Sequence, residues 1–304
     1  MKKILFTLAL TTAMTLSQAQ VLNVKSIERI NTPEGELTAE VVGISPAGDY
    51  LLLSSTSKQG LVKYDLNGGA TTTLTDAQGA GFGAQISADG NNVIFRERSI
   101  NDDRLVYTAV KSIDIASKKQ ETLVAPSRDL HAMTFDGTTA VTVDGGRMKA
   151  KATRGGQAVP TRPVIANVNL LLELTVNGKT ETFAPQGTDE RYIWASISPD
   201  GNRVLYYVSG IGCFSCKLDR SDMRELGQLR APKWLDNNTV VGMYDLDDGV
   251  FVTSSSIVVK TLDGAEQTLT DNNVIAMNPY CDANASKIVF STPDGEAYII
   301  NIAK

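Results

Sequence analysis

The sharpest chemical grouping in this chain of 304 residues is Cys213-Phe214-Ser215-Cys216. Two thiols at this spacing serve redox or zinc chemistry when a helix N-terminus lowers a thiol pKa or further thiolates complete a metal shell. The flanks here, Val204 to Val208 and Lys217-Leu218, have strand character, and the chain holds only three cysteines. The pair is therefore expected to straddle a strand-to-strand turn as a local disulfide, with two free thiols or a redox or metal role as alternatives. Cys281 is left over as a buried thiol. His131 is the single histidine. A hydrolase triad needs a nucleophile on a sharp turn and an orienting acid, and no Gly-x-Ser-x-Gly elbow accompanies it. A packed or rim histidine is expected, and no catalytic residue is assigned.

Charged residues form three further groups. Asp245, Asp247 and Asp248 fall in one short segment, Asp245-Leu246-Asp247-Asp248-Gly249. Their spacing lacks the alternation and distant Glu of an EF-hand loop, so a solvated turn is expected and no metal site. Arg147, Lys149, Lys151, Arg154 and Arg162 lie in a stretch without acids, inside a chain of net charge -5. Arg98, Asp102 and Asp103 complete the set, and all eleven are candidate partner-binding positions. Gly79-Ala80-Gly81-Phe82-Gly83 resembles a phosphate loop in composition, but a strand follows it where a helix is required. It is expected to be a plain connection.

These residues must be positioned by a repeated element. A short apolar strand, a tight turn and a strongly apolar strand recur. Ile197-Ser198-Pro199-Asp200-Gly201-Asn202-Arg203 leads into Val204 to Val208, Ile44-Ser45-Pro46-Ala47-Gly48-Asp49 into Tyr50 to Ser54, and Ile86-Ser87-Ala88-Asp89-Gly90-Asn91 into Val93 to Phe95. Weaker copies lie at Phe135-Asp136-Gly137, Trp234-Leu235-Asp236-Asn237-Asn238 and Cys281-Asp282-Ala283-Asn284-Ala285. Pro and Asp pre-set the first turn positions, and Gly or Asn accepts the positive φ that follows. The second strand, apolar on both faces, fits a place between packed sheets. Hairpins turning at Asn67-Gly68-Gly69, Asn177-Gly178 and Asp263-Gly264 supply outer strands.

The copies recur at roughly 36 to 64 residues, against about 40–50 for a four-stranded propeller blade. An all-β, six-bladed β-propeller follows. The last unit has only three strands, and Val21 to Ile30 is a strand without a unit. Pairing the two would close the ring and remove two sheet edges. Residues 147–163 would then be a basic insertion in the third unit.

The Ser-Pro-Asp-Gly turn at 198–201, with one departure each at Ala47 and Ala88, resembles the WD-like repeat of TolB-type β-propellers. The chain also looks like exported propeller proteins of the Bacteroidetes. TolB carries an α/β domain ahead of its propeller, for which this chain has no room. The resemblance therefore implies a six-bladed ring and protein binding at the channel mouth.

The N-terminus reads as an export signal. Lys2 and Lys3 precede an apolar run from Ile4 to Leu16, and Ser17-Gln18-Ala19 offers small residues for cleavage. Residues 1–19 are expected to be removed, leaving one propeller domain over 20–304 in the periplasm or outside the cell. Hydrophobic residues at 42% and charged residues at 21% suit a packed core. The acidic balance argues against a nucleic-acid partner, and no later run suits a membrane span. The expected function is a non-catalytic, monomeric, cofactor-free scaffold for a protein partner. The alternatives are a lactonase, lyase or glycan-active enzyme with a channel cation, or an accessory subunit of a separate hydrolase.

Overall fold

The computed structural model describes residues 20–30, 39–153, 161–271 and 273–303. The export signal at 1–19 and Arg154 lie outside them. Among these residues, twenty-six strands form seven antiparallel sheets, and their innermost strands abut one another in a closed circuit.

Blade 1 comprises β2 (Ala39–Ile44), β3 (Tyr50–Ser55), β4 (Leu61–Asp65) and β5 (Thr71–Thr75). Blade 2 comprises β6 (Gln85–Ile86), β7 (Asn92–Ile100), β8 (Val106–Asp114) and β9 (Gln120–Ser127). Among the described residues blade 3 has three strands, β10 (Leu130–Asp136), β11 (Thr139–Asp144) and β12 (Arg147–Ala152), and blade 4 three, β13 (Val164–Val168), β14 (Leu171–Val176) and β15 (Lys179–Phe183). Blade 5 comprises β16 (Tyr192–Ile197), β17 (Arg203–Val208), β18 (Gly212–Lys217) and β19 (Arg224–Gly227). Blade 6 comprises β20 (Arg230–Trp234), β21 (Thr239–Asp247), β22 (Val252–Thr261) and β23 (Glu266–Thr268). Blade 7 comprises β24 (Met277–Cys281), β25 (Lys287–Ser291) and β26 (Ala297–Ala303), completed by β1 (Asn23–Ile30). The pairing of β1 with β26 sets Val24 opposite Ile302 and Glu28 opposite Ile299, so the two ends of the chain share one sheet.

The protein is therefore a seven-bladed propeller, which corrects the expected count of six. The stretch taken as a basic insertion is not one. Arg147–Ala152 is β12, paired residue by residue with β11, and a further blade opens at Val164. Its first turn, Asn169-Leu170, carries no Ser-Pro-Asp-Gly. Both residues instead adopt left-handed backbone, φ 50° and 69°, the geometry of a two-residue hairpin whose twist matches its strands.

Burial follows position in the blade. Second strands are sealed on both sides: β17 is buried at all six positions and β3 at five of six. Outer strands alternate, as in β12, where Arg147, Lys149 and Lys151 are exposed and Met148, Ala150 and Ala152 half-buried. The core is a series of layers between blades. Leu52 and Leu61 meet Val93 and Phe95 between blades 1 and 2, and Leu172 and Phe183 meet Tyr206 and Phe214 between blades 4 and 5.

The Ser-Pro-Asp-Gly turns share one face. Tyr50 reaches Gly90 O at 2.7 Å, Ala88 N bonds Gly137 O at 2.9 Å, and Ala283 N bonds Pro46 O at 3.2 Å. We call this the turn face. In the copy at 198–203 the Ser198 hydroxyl accepts the N–H groups of Asn202 at 3.2 Å and Arg203 at 2.9 Å and donates to Asp200 at 2.6 Å. Gly201, at φ 79°, makes the left-handed step. In the last copy the Asp282 carboxylate takes the place of the serine, accepting Ser286 N at 2.8 Å and Lys287 N at 2.9 Å.

Blade 4 runs the other way. A three-stranded blade 3 leaves the chain on the turn face, where Asp136 accepts the N–H groups of Thr161 at 2.6 Å and Arg162 at 3.1 Å. Inner strand β13 starts there and ends at the opposite face, where Leu170 O accepts Tyr192 N at 2.7 Å. It is antiparallel to its neighbours β10 and β16. The second three-stranded blade restores the direction.

Candidate binding face and channel

Opposite the turn face, two hairpins stand above the rest. β7 and β8 have 9 residues each, and β21 and β22 have 9 and 10. They belong to blades 2 and 6, separated by two blades on one side of the ring and three on the other, and so flank the channel mouth from nearly opposite sides. We call this the hairpin face.

Acidic residues shape the tips. Asp103 accepts Leu105 N at 2.9 Å and Tyr107 OH at 2.7 Å, bonds that hold its carboxyl below the usual range. Asp248 accepts Phe251 N at 2.8 Å and Val250 N at 2.9 Å, with the same effect, and Asp247 accepts Gly249 N at 2.9 Å. With these backbone groups satisfied, the tips present apolar side chains to solvent. Val250 is 77% exposed, Ile100 73% and Phe251 71%, and Leu246, Val106 and Leu105 join them. Residue type and spacing point to the aspartates and not to these six. The signal was Val250-Phe251-Val252 directly after an Asp-Asp-Gly turn, too apolar for a solvated loop.

The candidate positions do not form one site. Asp245 lies below its tip, with its side chain 2% exposed, and pairs with Arg230 at 2.8 Å. Arg230 in turn lies 5.8 Å from the centre of the Trp194 ring. Arg98 stacks on Phe82 at 4.2 Å, whereas Asp102 is exposed at the β7–β8 tip. The basic residues are dispersed. Arg147 starts β12 at the hairpin face, Lys149 stands on the outer edge and Lys151 pairs with Glu121 of blade 2. Arg162 reaches the Ser198 carbonyl at 2.6 Å on the turn face. A strand running from one face to the other cannot gather its charges into one patch.

The expected Cys213–Cys216 disulfide is not formed, and both thiols are free. The two residues lie within β18, not across a turn, and side chains three apart in a strand point to opposite faces. Cys213 packs into the layer toward blade 6 and Cys216 into the layer toward blade 4. Burial pushes Cys213 upward, Cys216 up to about 11 and Cys281 up to about 12, so all three stay protonated at neutral pH. His131 joins blades 3 and 4 through Glu173 at 3.3 Å. Among the described residues no three His, Cys, Asp or Glu side chains gather as metal ligands, and no helix is long and apolar enough to cross a membrane.

The channel is bounded by β2, β6, β10, β13, β16, β20 and β24. Near its turn-face end, Lys233 of β20 lies half-buried, with its Nζ 5.2 Å from the centre of the Tyr280 ring.

The chain matches no protein-family model and no curated protein. Solved structures share its fold. The WD40 repeats of RRP9 align over 93% of this chain and 99% of that one, at 10% identity and a TM-score of 0.64. A chain of the mitotic checkpoint complex aligns over 100% and 99%, at 8% and 0.60. TolB from Acinetobacter baumannii aligns over 78% of this chain and 55% of its own length, at 15% and 0.50. The chain shares the β-propeller fold. At these identities the likeness is one of architecture alone.

Proposed function

We propose that this protein is a non-catalytic binding scaffold that engages a protein partner through the hairpin face, in the exported compartment that its N-terminal sequence suits. One observation carries the proposal. Nine of the eleven exposed large apolar side chains among the described residues lie on this face, six of them on the two hairpin tips. Concentrated exposed apolar surface on a rigid frame favours association. The acids beside it, Asp102, Asp103, Asp247 and Asp248, disfavour an anionic lipid surface and suit a partner whose apolar pocket has a basic rim. That a solved relative in fold belongs to the mitotic checkpoint complex is consistent with such use.

The test compares the native chain with a Val250→Asp, Phe251→Asp variant. Proteins captured from envelope and secreted fractions are purified and titrated against both by calorimetry. The expected outcome is a partner whose affinity falls at least tenfold in the variant, while Asn67→Ala on the turn face changes nothing. A partner that binds both equally, or a native chain whose only association is with itself, would refute the proposal.

A further inference from the structure

The glycine-rich run Gly79-Ala80-Gly81-Phe82-Gly83 connects blades 1 and 2, and β6 follows it where a phosphate loop needs a helix. Its glycines serve a different contact. A Cβ on Gly79 would stand 2.9 Å from Arg98 Cγ, and one on Gly83 would stand 2.8 Å from Arg96 Nη1. The loop therefore closes directly onto two arginines of β7. Arg96 donates from Nη1 to the Phe82 carbonyl at 2.8 Å, and the Arg98 guanidinium lies 4.2 Å from the centre of the Phe82 ring. One residue, Phe82, thus touches both guanidinium groups.

The strand β7 pairs with β8 in unbroken register, so Arg96 and Arg98, two apart, share one face of it. Among the described residues neither forms an ion pair. Glu97 points to the other face and pairs with Lys111 at 2.6 Å. Lys58, whose carbonyl accepts Gly81 N at 3.1 Å, is neutralised by Glu40. At the tip above, Asp103 is taken by Leu105 N and Tyr107 OH, and Asp102 is exposed. Burial and the neighbouring charge of Arg98 hold the Arg96 pKa below the usual arginine range. A guanidinium carries five N–H donors, and the protein fills one on Arg96 and none on Arg98 among the described residues. Two like charges held side by side, with most of their donors unfilled, favour an anion between them.

We propose that Arg96 and Arg98 form a binding site for a phosphate group on the hairpin face, at the foot of the β7–β8 hairpin. The guanidinium fork matches phosphate oxygens, and two adjacent forks suit a doubly charged group better than a single carboxylate. Phe82 positions both arginines, through its carbonyl and through its ring. Gly79 and Gly83 are required because any side chain there would displace them. The site rests on this arginine pair alone, and its test needs no protein partner, so it stands or falls separately from the docking surface at the tips.

Inorganic phosphate and phenyl phosphate are titrated in turn into the native chain by calorimetry, at constant ionic strength set with sodium chloride. Saturable binding of at least one probe is expected, with a rise in melting temperature. Affinity should fall at least tenfold in Arg96→Gln and in Arg98→Gln and be kept in Arg147→Gln on blade 3. Phosphate binding as tightly as its ester identifies the free ion as the ligand, and tighter binding of the ester identifies a phosphate carried on an organic group. Arg98 is exposed, so Arg98→Gln decides the matter even where Arg96→Gln fails to fold. No saturation with either probe, or undiminished affinity in Arg98→Gln, would overturn the proposal.

Discussion

Replacing Ser198 by Ala tests what the recurring turn contributes. The hydroxyl is fully buried and accepts two backbone N–H groups while donating to Asp200. Asn202 keeps a second acceptor in Asp200 at 3.1 Å, whereas the buried Arg203 N–H loses the acceptor that the turn gives it. One orphaned buried N–H costs about 1–3 kcal/mol, or about 2–6 °C in melting temperature for a domain of this size. Ser45 and Ser87 make the equivalent bonds to Tyr50 N at 3.1 Å and Asn92 N at 2.9 Å. The three sites lie in blades 1, 2 and 5, so their losses should add. Asp282→Ala orphans Ser286 N and Lys287 N together and should cost more than any single serine. Denaturant titration and calorimetry on the singles, the triple and the exposed control Ser99→Ala measure this. If Ser198→Ala proves no costlier than Ser99→Ala, the hydroxyl does not hold the turn.

Other outcomes follow from particular contacts. Iodoacetamide at pH 8 should leave all three native thiols unmodified and label three after unfolding. An intact mass two hydrogens short would show a disulfide and refute the β18 geometry. Because burial raises Cys216 to about 11 and Cys281 to about 12, the stability they contribute is whole below the unfolded thiol pKa. It is lost as pH climbs through those values, so melting temperature should fall above about pH 9. A Cβ on Gly242 would stand 2.5 Å from Leu229 Cγ and 2.9 Å from Arg230 O. Gly242→Ala should therefore cost about 1–3 kcal/mol, and Gly68→Ala, with open space around it, far less. A chain starting at residue 31 loses β1 and bares β26. Light scattering should show concentration-dependent association through that edge, and a monodisperse monomer of native stability would refute the closure.

Much of this architecture could be read from turn chemistry and apolar strands. The terminal closure was legible because Val21 to Ile30 alternates and the final unit lacks a strand. The seventh blade was not. Its first turn uses Asn169-Leu170, which matches no repeat, and the interval from Phe135 to Ile197 was the longest in the series. That interval, with charge alternating at Arg147, Lys149 and Lys151, was the available clue to an edge strand and an extra blade. The cysteine pair was misplaced because Ser209-Gly210-Ile211, not the cysteines, forms the turn between β17 and β18. At the candidate sites, residue type misled. Of the aspartates that suggested a contact surface, Asp103, Asp247 and Asp248 are spent on their own tip backbone and Asp245 on Arg230, which leaves Asp102 exposed. The surface left over is apolar.

The reversed fourth blade carries a parity rule. Each four-stranded sheet returns the polypeptide to the rim it left, and each three-stranded one delivers it to the other. A wheel joined head to tail can therefore hold its two three-stranded members only as a couple. Excising residues 130–152 alone would leave the chain on the wrong rim for its next spoke, whereas excising 130–183 would leave both cut ends on the same side. Blades 3 and 4 are, in that sense, one topological unit of six strands.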